Sequence, residues 1–346
     1  MNARMIRNVL IVSALALVVG LLGRGASANA QTGTPQLPRF LWGAWIGDQF
    51  TGSQPPWDWN AVKIFEAKNT GGRHISALHW GVGTPWDHEF NYWRGALDIA
   101  RDQGVVSVID MATNTVPLRT IANGAYDTAL NTWATQAATW GQPVLLRFDF
   151  EMNGRWFPWG TTQWNQNTPE DFVAAWRHVH QIFTADGATN VQWVWCPNIA
   201  LHHKNSLLAR NYPGDSYVDW TCLDGYNFNN PWVSFKQVYD WSYKRIIQIA
   251  PSKPMLIGET GSTEHGGSKA LWIHNMFEAF ATRYRHIHGL LWYDVNGVRA
   301  WPIETSKSSS AAFSRGIETT LGRFCRGLSG GARTQCMGRA TPAPNR

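Results

Sequence analysis

Eight short apolar runs punctuate the chain: Phe40–Ile46, Ile75–Trp80, Val105–Met111, Val144–Phe150, Val191–Trp195, Trp220–Tyr226, Met255–Ile257 and Leu290–Val295. They have strand length and are dominated by aliphatic and aromatic residues. Several stop at polar or glycine turns, with Asn198, Asn227, Gly261 and Asn296 following their runs. Longer mixed segments with helical spacing separate them: Glu89–Gln103, Tyr126–Trp140, Pro169–Ala185, Phe235–Ala250 and Lys269–Arg285. Thr168-Pro169-Glu170-Asp171 is a helix start, with Thr at the N-cap, Pro at the first helical position and acids in the first turn. The weakest helical pattern lies between the fifth and sixth runs. Eight strand–helix repeats at this length predict the α/β class, as a single (β/α)8 TIM barrel over residues 39–321. An open doubly wound sheet competes with it. No Gly-rich dinucleotide fingerprint follows the first run, which disfavours that option. Residues 322–346 form a Gly-, Arg- and Pro-rich tail expected to pack loosely.

The first thirty residues read as an address. Arg4 and Arg7 precede an apolar run from Val9 to Leu22, and small residues then lead to Ala28-Asn29-Ala30. That is the pattern of a secretory signal peptide cleaved after Ala30, and the run is shorter than the ~20 apolar residues a membrane span needs. Residues 31–38 are a polar lead-in. The mature protein is therefore expected outside the cytoplasm, extracellular or periplasmic, without stable membrane insertion, and as a monomer. Four cysteines fit an oxidising space. Cys325 and Cys336 flank a Gly-rich segment and are expected to pair. Cys196 and Cys222 sit in consecutive strands, where they either bridge or stay as buried thiols.

Composition narrows the partners. Three of the 30 basic residues, Arg4, Arg7 and Arg24, lie in the first thirty positions, which hold no acid, so the formal +6 leaves a net +3 for the remainder. With no basic run, this is no nucleic-acid footprint. Tryptophan is the outlier, 21 of 346 residues. Indoles stack on flat apolar faces, and sugar rings have such faces. Trp80 and Trp86 after the second run, and Trp156, Trp159 and Trp164 after the fourth, are candidate sugar contacts; their ordinary reading is loop packing. Trp193 and Trp195 lie mid-strand and read as core.

Barrel chemistry sits where strands end, so acids at strand C-termini carry weight. Glu151 closes the fourth run in Arg147-Phe148-Asp149-Phe150-Glu151-Met152-Asn153-Gly154. Strand alternation puts Arg147, Asp149 and Glu151 on one face and Phe148 and Phe150 on the other. Three ionisable groups in a packed lumen are costly unless paired, which marks a site. Glu259 closes the seventh run in Gly258-Glu259-Thr260-Gly261, where small neighbours let a ligand approach. Carboxylates on the fourth and seventh strands would meet across the barrel mouth. Such a pair suits glycoside hydrolysis, one acid protonating the leaving oxygen and the other attacking the anomeric carbon.

The segment Arg147–Gly160, RFDFEMNGRWFPWG, resembles the acid/base signature of glycoside hydrolase family 26, typically His-Glu-Met-Asn-Gly followed by Trp residues. Val191–Asn198, Tyr212–Asn227, Gly258–Gly261 and Leu291–Asp294 are similar to later family segments in the same order. The resemblance spans most of Phe40 to Ser306. It implies a retaining β-glycanase with Glu151 as acid/base and Glu259 as nucleophile. It also implies that Tyr226 donates its hydroxyl to the nucleophile, that Trp292 forms part of the platform at the cleaved sugar, and that Arg147 orients the carboxylates. Asn153, Trp156, Trp80, Asn198 and Asp149 complete the expected substrate-binding set. Phe150 stands where the family has a His that contacts the sugar, so Asp149, His79 or Asn198 must supply that contact or it is lost. The expected substrate is a β-linked polysaccharide, β-mannan first, with β-glucan, β-1,3-xylan, an envelope glycan or glycan binding without cleavage as alternatives.

No metal or other cofactor is expected. His202-His203 are adjacent, His178 and His180 diverge on a helix, and no His-Glu-x-x-His occurs. No phosphate-binding loop with the correct lysine spacing is present.

Overall fold

The computed structural model describes residues 37–338 except 163–165, 201–206, 229–230 and 298. The leader, Trp164 and the His202-His203 pair lie outside the described residues. Eight parallel strands close into one barrel in chain order: β1 (Leu41–Ile46), β2 (Ala77–Gly83), β3 (Val106–Met111), β4 (Val144–Phe148), β5 (Val191–Trp195), β6 (Trp220–Asn227), β7 (Met255–Ser262) and β8 (Ile287–Asp294). All eight apolar runs are strands. The barrel closes because each strand buries both faces, one against the lumen and one against the helices. Leu41, Ala77, Val108, Leu145, Val194, Leu256 and Leu291 pack as one lumen cluster, separate from the larger core under the helices.

The outer ring is α1 (Trp59–Asn69), α2 (Arg94–Asp102), α3 (Leu118–Ala122), α4 (Asp127–Trp140), α5 (Pro169–Ala185), α6 (Leu207–Arg210), α7 (Phe235–Ile249), α8 (Lys269–Thr282) and α9 (Lys307–Phe324). Helix α5 starts as its sequence dictates: Thr168 and Asp171 form a reciprocal capping box with Pro169 in the first turn. The weak segment between β5 and β6 yields the four-residue α6 and a 3-10 turn at Asp215–Tyr217 among the described residues. No helix among the described residues is long and apolar enough to cross a membrane.

Two boundaries matter for the site. The fourth run was expected to stay extended to Phe150, but β4 ends at Phe148. The seventh extends past Ile257 to Ser262 and contains a bulge: Leu223 faces Ile257 while the next residue, Asp224, already faces Glu259, leaving Gly258 as the extra residue.

The tail is not loose up to residue 338. Cys325 and Cys336 are disulfide-bonded, with α10 (Gly330–Cys336) between them. Phe324 packs on Phe40 with ring centroids 5.0 Å apart, and the His74 N–H donates to the Gly338 carbonyl at 2.8 Å. The short cross-linked loop holds this segment against the start of β1, opposite the strand ends that carry the site.

Candidate active site

Arg147 is the hub. It lies on the lumen face of β4 with no exposed surface. A buried guanidinium persists only when opposite charge and hydrogen bonds surround it. Its Nη1 lies 3.1 Å from Glu259 Oε1, 3.3 Å from Asp110 Oδ1 and 2.7 Å from His79 Nε2, and its Nη2 bonds Asp224. Burial disfavours the charged form, but the three carboxylates outweigh it and hold the Arg147 pKa above its ordinary value. Of these partners, Asp110 and Asp224 were not anticipated. Asp224 had a usable signal, because it stands two residues before Tyr226 and so shares its strand face.

Glu259 reaches this hub because of the bulge. Ile257 faces the helices and is fully buried in the outer core. Strict alternation would send Glu259 the same way, and the extra residue at Gly258 reverses the face. A side chain cannot stand at Gly258: a Cβ there would sit 2.4 Å from Cys222 Sγ and 2.7 Å from Asp224 Oδ1. Once inward, Glu259 accepts the Arg147 bond on Oε1 and the Tyr226 hydroxyl on Oε2 at 2.5 Å. Burial and the neighbouring Glu259 charge push the Tyr226 phenol well above its ordinary pKa, so it stays a proton donor.

Glu151 is placed by a turn. Asp149 and Glu151 have φ of 45° and 54°, in the left-handed region that non-glycine residues rarely occupy. The Asp149 N–H donates to Met111 at the end of β3 (2.9 Å), and the Glu151 N–H donates across to Cys196 at the end of β5 (2.7 Å). The chain is thus pulled to opposite sides in successive steps, and strand alternation no longer applies. The shared face for Arg147, Asp149 and Glu151 is therefore corrected: Asp149 leaves it. The Asp149 carboxylate is buried and accepts from the Thr113 N–H (2.7 Å) and hydroxyl (3.0 Å), away from the lumen. Burial pushes its pKa up to about 8 against those two donors. Phe150 instead covers the Arg147 guanidinium, 4.8 Å from ring centroid to carbon.

Glu151 accepts the Asn198 side-chain amide at 2.5 Å on Oε1 and the Trp156 indole N–H on Oε2. Burial first, then repulsion from Glu259, push its pKa up to about 7, while these two donors and Arg147 pull it down. Asn153 stands behind Asn198 rather than facing a substrate. Its amide donates to the Asn198 carbonyl (2.8 Å), and its oxygen accepts the Asn198 N–H (2.9 Å). Trp156 is half exposed over the site, its ring lying on Gly154.

Trp292, Trp80 and Trp159, expected as sugar contacts, are buried instead. Trp292 is fully buried, packs on Trp272 and Phe313, and donates its indole to the Trp301 carbonyl at 2.9 Å. It faces the helices, and the next residue, Tyr293, faces the mouth beside Tyr226 and Trp45. Because Leu291 and Trp292 are both apolar, alternation alone does not tell which of them points inward. Trp80 is likewise buried behind β2, against Trp57 and Trp93. Trp159 is buried with its indole on the Phe150 carbonyl, and Trp86 packs on Tyr126. The aromatic wall beside Glu259 is instead Tyr226, Trp301, Tyr293 and Phe228.

Glu151 and Glu259 meet over Arg147 and Asp224. One carboxylate oxygen from each of Glu151, Asp224 and Glu259 lies within 4.8 Å of the other two. The same atoms are near enough to hold a cation, but the Arg147 guanidinium already supplies the positive charge among them.

A (β/α)8 barrel with paired glutamates at the mouth, from the ends of β4 and β7, defines a class of paired-carboxylate barrel proteins. The chain belongs to glycosyl hydrolase family 26, whose sequence profile matches residues 58–263, a span that holds both glutamates. It is 32% identical over 313 residues to Endoglucanase H of Acetivibrio thermocellus, covering 88% of this chain and 32% of that protein. It is 33% identical over 159 residues to mannan endo-1,4-beta-mannosidase A and B of Caldalkalibacillus mannanilyticus, covering 44% of this chain and 28% of that protein. The chain spans about a third of the length of these curated relatives. The fold superposes on the catalytic domain of a Bacillus sp. JAMB-750 GH26 endo-beta-1,4-mannanase with a TM-score of 0.60, at 18% identity, covering 82% of this chain and 86% of that one.

Proposed function

We propose that this protein is an exported endo-acting β-glycosidase that cleaves a β-linked polysaccharide, β-mannan first, with retention of configuration. The observation that carries the reading is the approach of one carboxylate oxygen of Glu151 to within 4.8 Å of one of Glu259. Retaining glycosidases hold their carboxyl groups about 5–5.5 Å apart, whereas inverting ones leave ~6.5–9.5 Å for a water. Glu259, held by Arg147 and Tyr226, is the nucleophile aimed across the mouth. Glu151, raised to about 7, carries the proton. In the first step Glu151 protonates the glycosidic oxygen while Glu259 bonds the anomeric carbon and the leaving sugar departs. In the second, Glu151 takes a proton from water, which displaces Glu259. Export with cleavage after Ala30 rests on the leader sequence.

A β-glucan is the second reading, supported by the Endoglucanase H match along most of this chain and by Phe150. A polysaccharide panel of β-mannan, mixed-linkage β-glucan, β-1,3-xylan and cell-wall glycan, read by thin-layer chromatography, tests both. Oligosaccharides from β-mannan are expected. Release from β-glucan alone moves the assignment to the second reading, and binding without release from any polymer overturns hydrolysis. Proton NMR of the first product formed is expected to show the β-anomer.

Two further outcomes follow from the site. The activity's basic limb is expected near pH 7, where Glu151 loses its proton. Trp156→Phe removes a donor that stabilises the carboxylate, so that limb moves to higher pH; a pH–kcat/KM profile reads it. Tyr226→Phe removes the hydroxyl on Glu259 and is expected to lower kcat about 10²-fold with little change in melting temperature.

A further inference from the structure

Cys196 and Cys222 are disulfide-bonded and fully buried in the lumen. They continue the β5–β6 register, in which Val194 faces Trp220 and Trp195 faces Thr221. One layer higher in the same register, Asn198 bridges Asp224. The hydrogen-bonded ladder supplies only those two register pairs before the bridge, and the cross-link occupies the step between.

Beneath the mouth, the cross-link packs in the apolar lumen cluster, and on its other side it meets residues of the site. The Cys196 carbonyl accepts the Glu151 N–H at 2.7 Å. Asn198, two residues on, holds the Glu151 carboxylate, and Asp224, two residues past Cys222, holds Arg147. From β7, Gly258 backs onto both sulfurs, so that a Cβ there would lie 2.4 Å from Cys222 Sγ and 3.0 Å from Cys196 Sγ. Gly258 is the bulge residue that turns Glu259 inward.

The geometry points to the Cys196–Cys222 disulfide as a positioning element of the site, setting the spacing of β5, β6 and the bulged β7 so that both glutamates keep their separation. The inference rests on the reading of Glu151 and Glu259 as the reacting pair. A covalent link replaces a soft packing distance beneath both carboxylates, and a 1 Å misplacement of reacting groups costs on the order of 10²-fold in rate. A disulfide with only a structural role acts chiefly through the unfolded chain and leaves the turnover of folded protein unchanged. Cys325–Cys336, beside Phe324 and Phe40 at the other end of the barrel, is the internal control.

The test compares the full chain with Cys196→Ala/Cys222→Val and with Cys325→Ala/Cys336→Ala. Denatured wild type is expected to show no free thiol. Assayed well below its melting temperature, the first variant is expected to lose about 10- to 100-fold in kcat with KM changed less than about threefold. The second is expected to melt lower with kcat within about twofold of wild type. A crystal structure of the first variant is expected to show Asn198 drawn off Glu151 and Asp224 drawn off Arg147. If that variant does not fold, Cys325→Ala/Cys336→Ala folded in reductant leaves only Cys196 and Cys222 as thiols, and the same kcat loss, reversed on reoxidation, is expected. Free thiols at Cys196 and Cys222 in native wild type overturn the inference, as does unchanged kcat with both contacts intact. If wild type releases sugar from no polymer, the hydrolase reading fails by itself, and the crystal structure and thiol assay still decide whether the cross-link positions the glutamates.

Discussion

Glu259→Ala is expected to abolish oligosaccharide release, by on the order of 10⁵-fold or more in kcat, in a protein that still folds. The fold survives because Arg147 keeps Asp110 and Asp224 as partners. The chemistry does not survive, because Asp224, which also comes within 4.8 Å of Glu151, is fully buried and bound to Arg147. Azide separates this explanation from general damage. In Glu259→Ala a small anion has room to attack the activated substrate directly, giving one displacement and a glycosyl azide of inverted configuration. In Glu151→Ala the nucleophile is still present, so azide attacks the glycosyl-enzyme and the product keeps its configuration. Activity near wild type in Glu259→Ala would sink the assignment, and the same azide product from both variants would erase the distinction between the two roles. The substitution also removes the repulsion that Glu259 exerts on Glu151, so the Glu151 midpoint is expected to fall below about 7.

Arg147→Met carries the largest stability effect. The guanidinium is fully buried and is the shared partner of Asp110, Asp224 and Glu259. Methionine fills part of the space and takes the guanidinium from three carboxylates, of which Asp110 keeps the His79 ring at 3.0 Å. Removing one partner of a buried ion pair costs about 3–5 kcal/mol, because the remaining charge stays desolvated. The cost has a definite pH sign. Unpaired buried carboxylates have folded-state pKa values raised above their unfolded values of about 4. Their contribution is present below that range and is lost as pH rises through the folded values. Urea unfolding of Arg147→Met is therefore expected to approach wild type near pH 4–5 and to fall furthest behind near pH 8. Equal stability of the two proteins at pH 8 would show that the guanidinium is not the counter-charge described here.

Much of this molecule was legible from local pattern. Eight apolar runs became eight strands because a parallel barrel strand buries both faces and so reads as a continuous apolar segment. The α5 start was legible because an N-cap is a contact between residues three apart. The candidate glutamates were legible because strand ends are where a barrel exposes chemistry. What local pattern misassigned were the directions of side chains. Asp149 left the expected face because two left-handed residues break alternation at the end of β4. Trp292 turned to the helices, and Tyr293 took the mouth, because two apolar neighbours on a strand do not reveal which one points inward.

The sequence by itself determined the order of strands and helices, the class of fold and the two glutamates. These depend on the residues' own volume, polarity and spacing, and on positions at strand ends. Only the tertiary structure decided that Glu259 points inward, since that requires a bulge at Gly258 set by its packing on Cys222 and Asp224. It alone decided that Arg147 binds Asp110 and Asp224 and that Cys196 bonds Cys222. Those contacts join strands that are distant or merely adjacent along the chain, and their partners are chosen by closure of the barrel rather than by any neighbour in sequence.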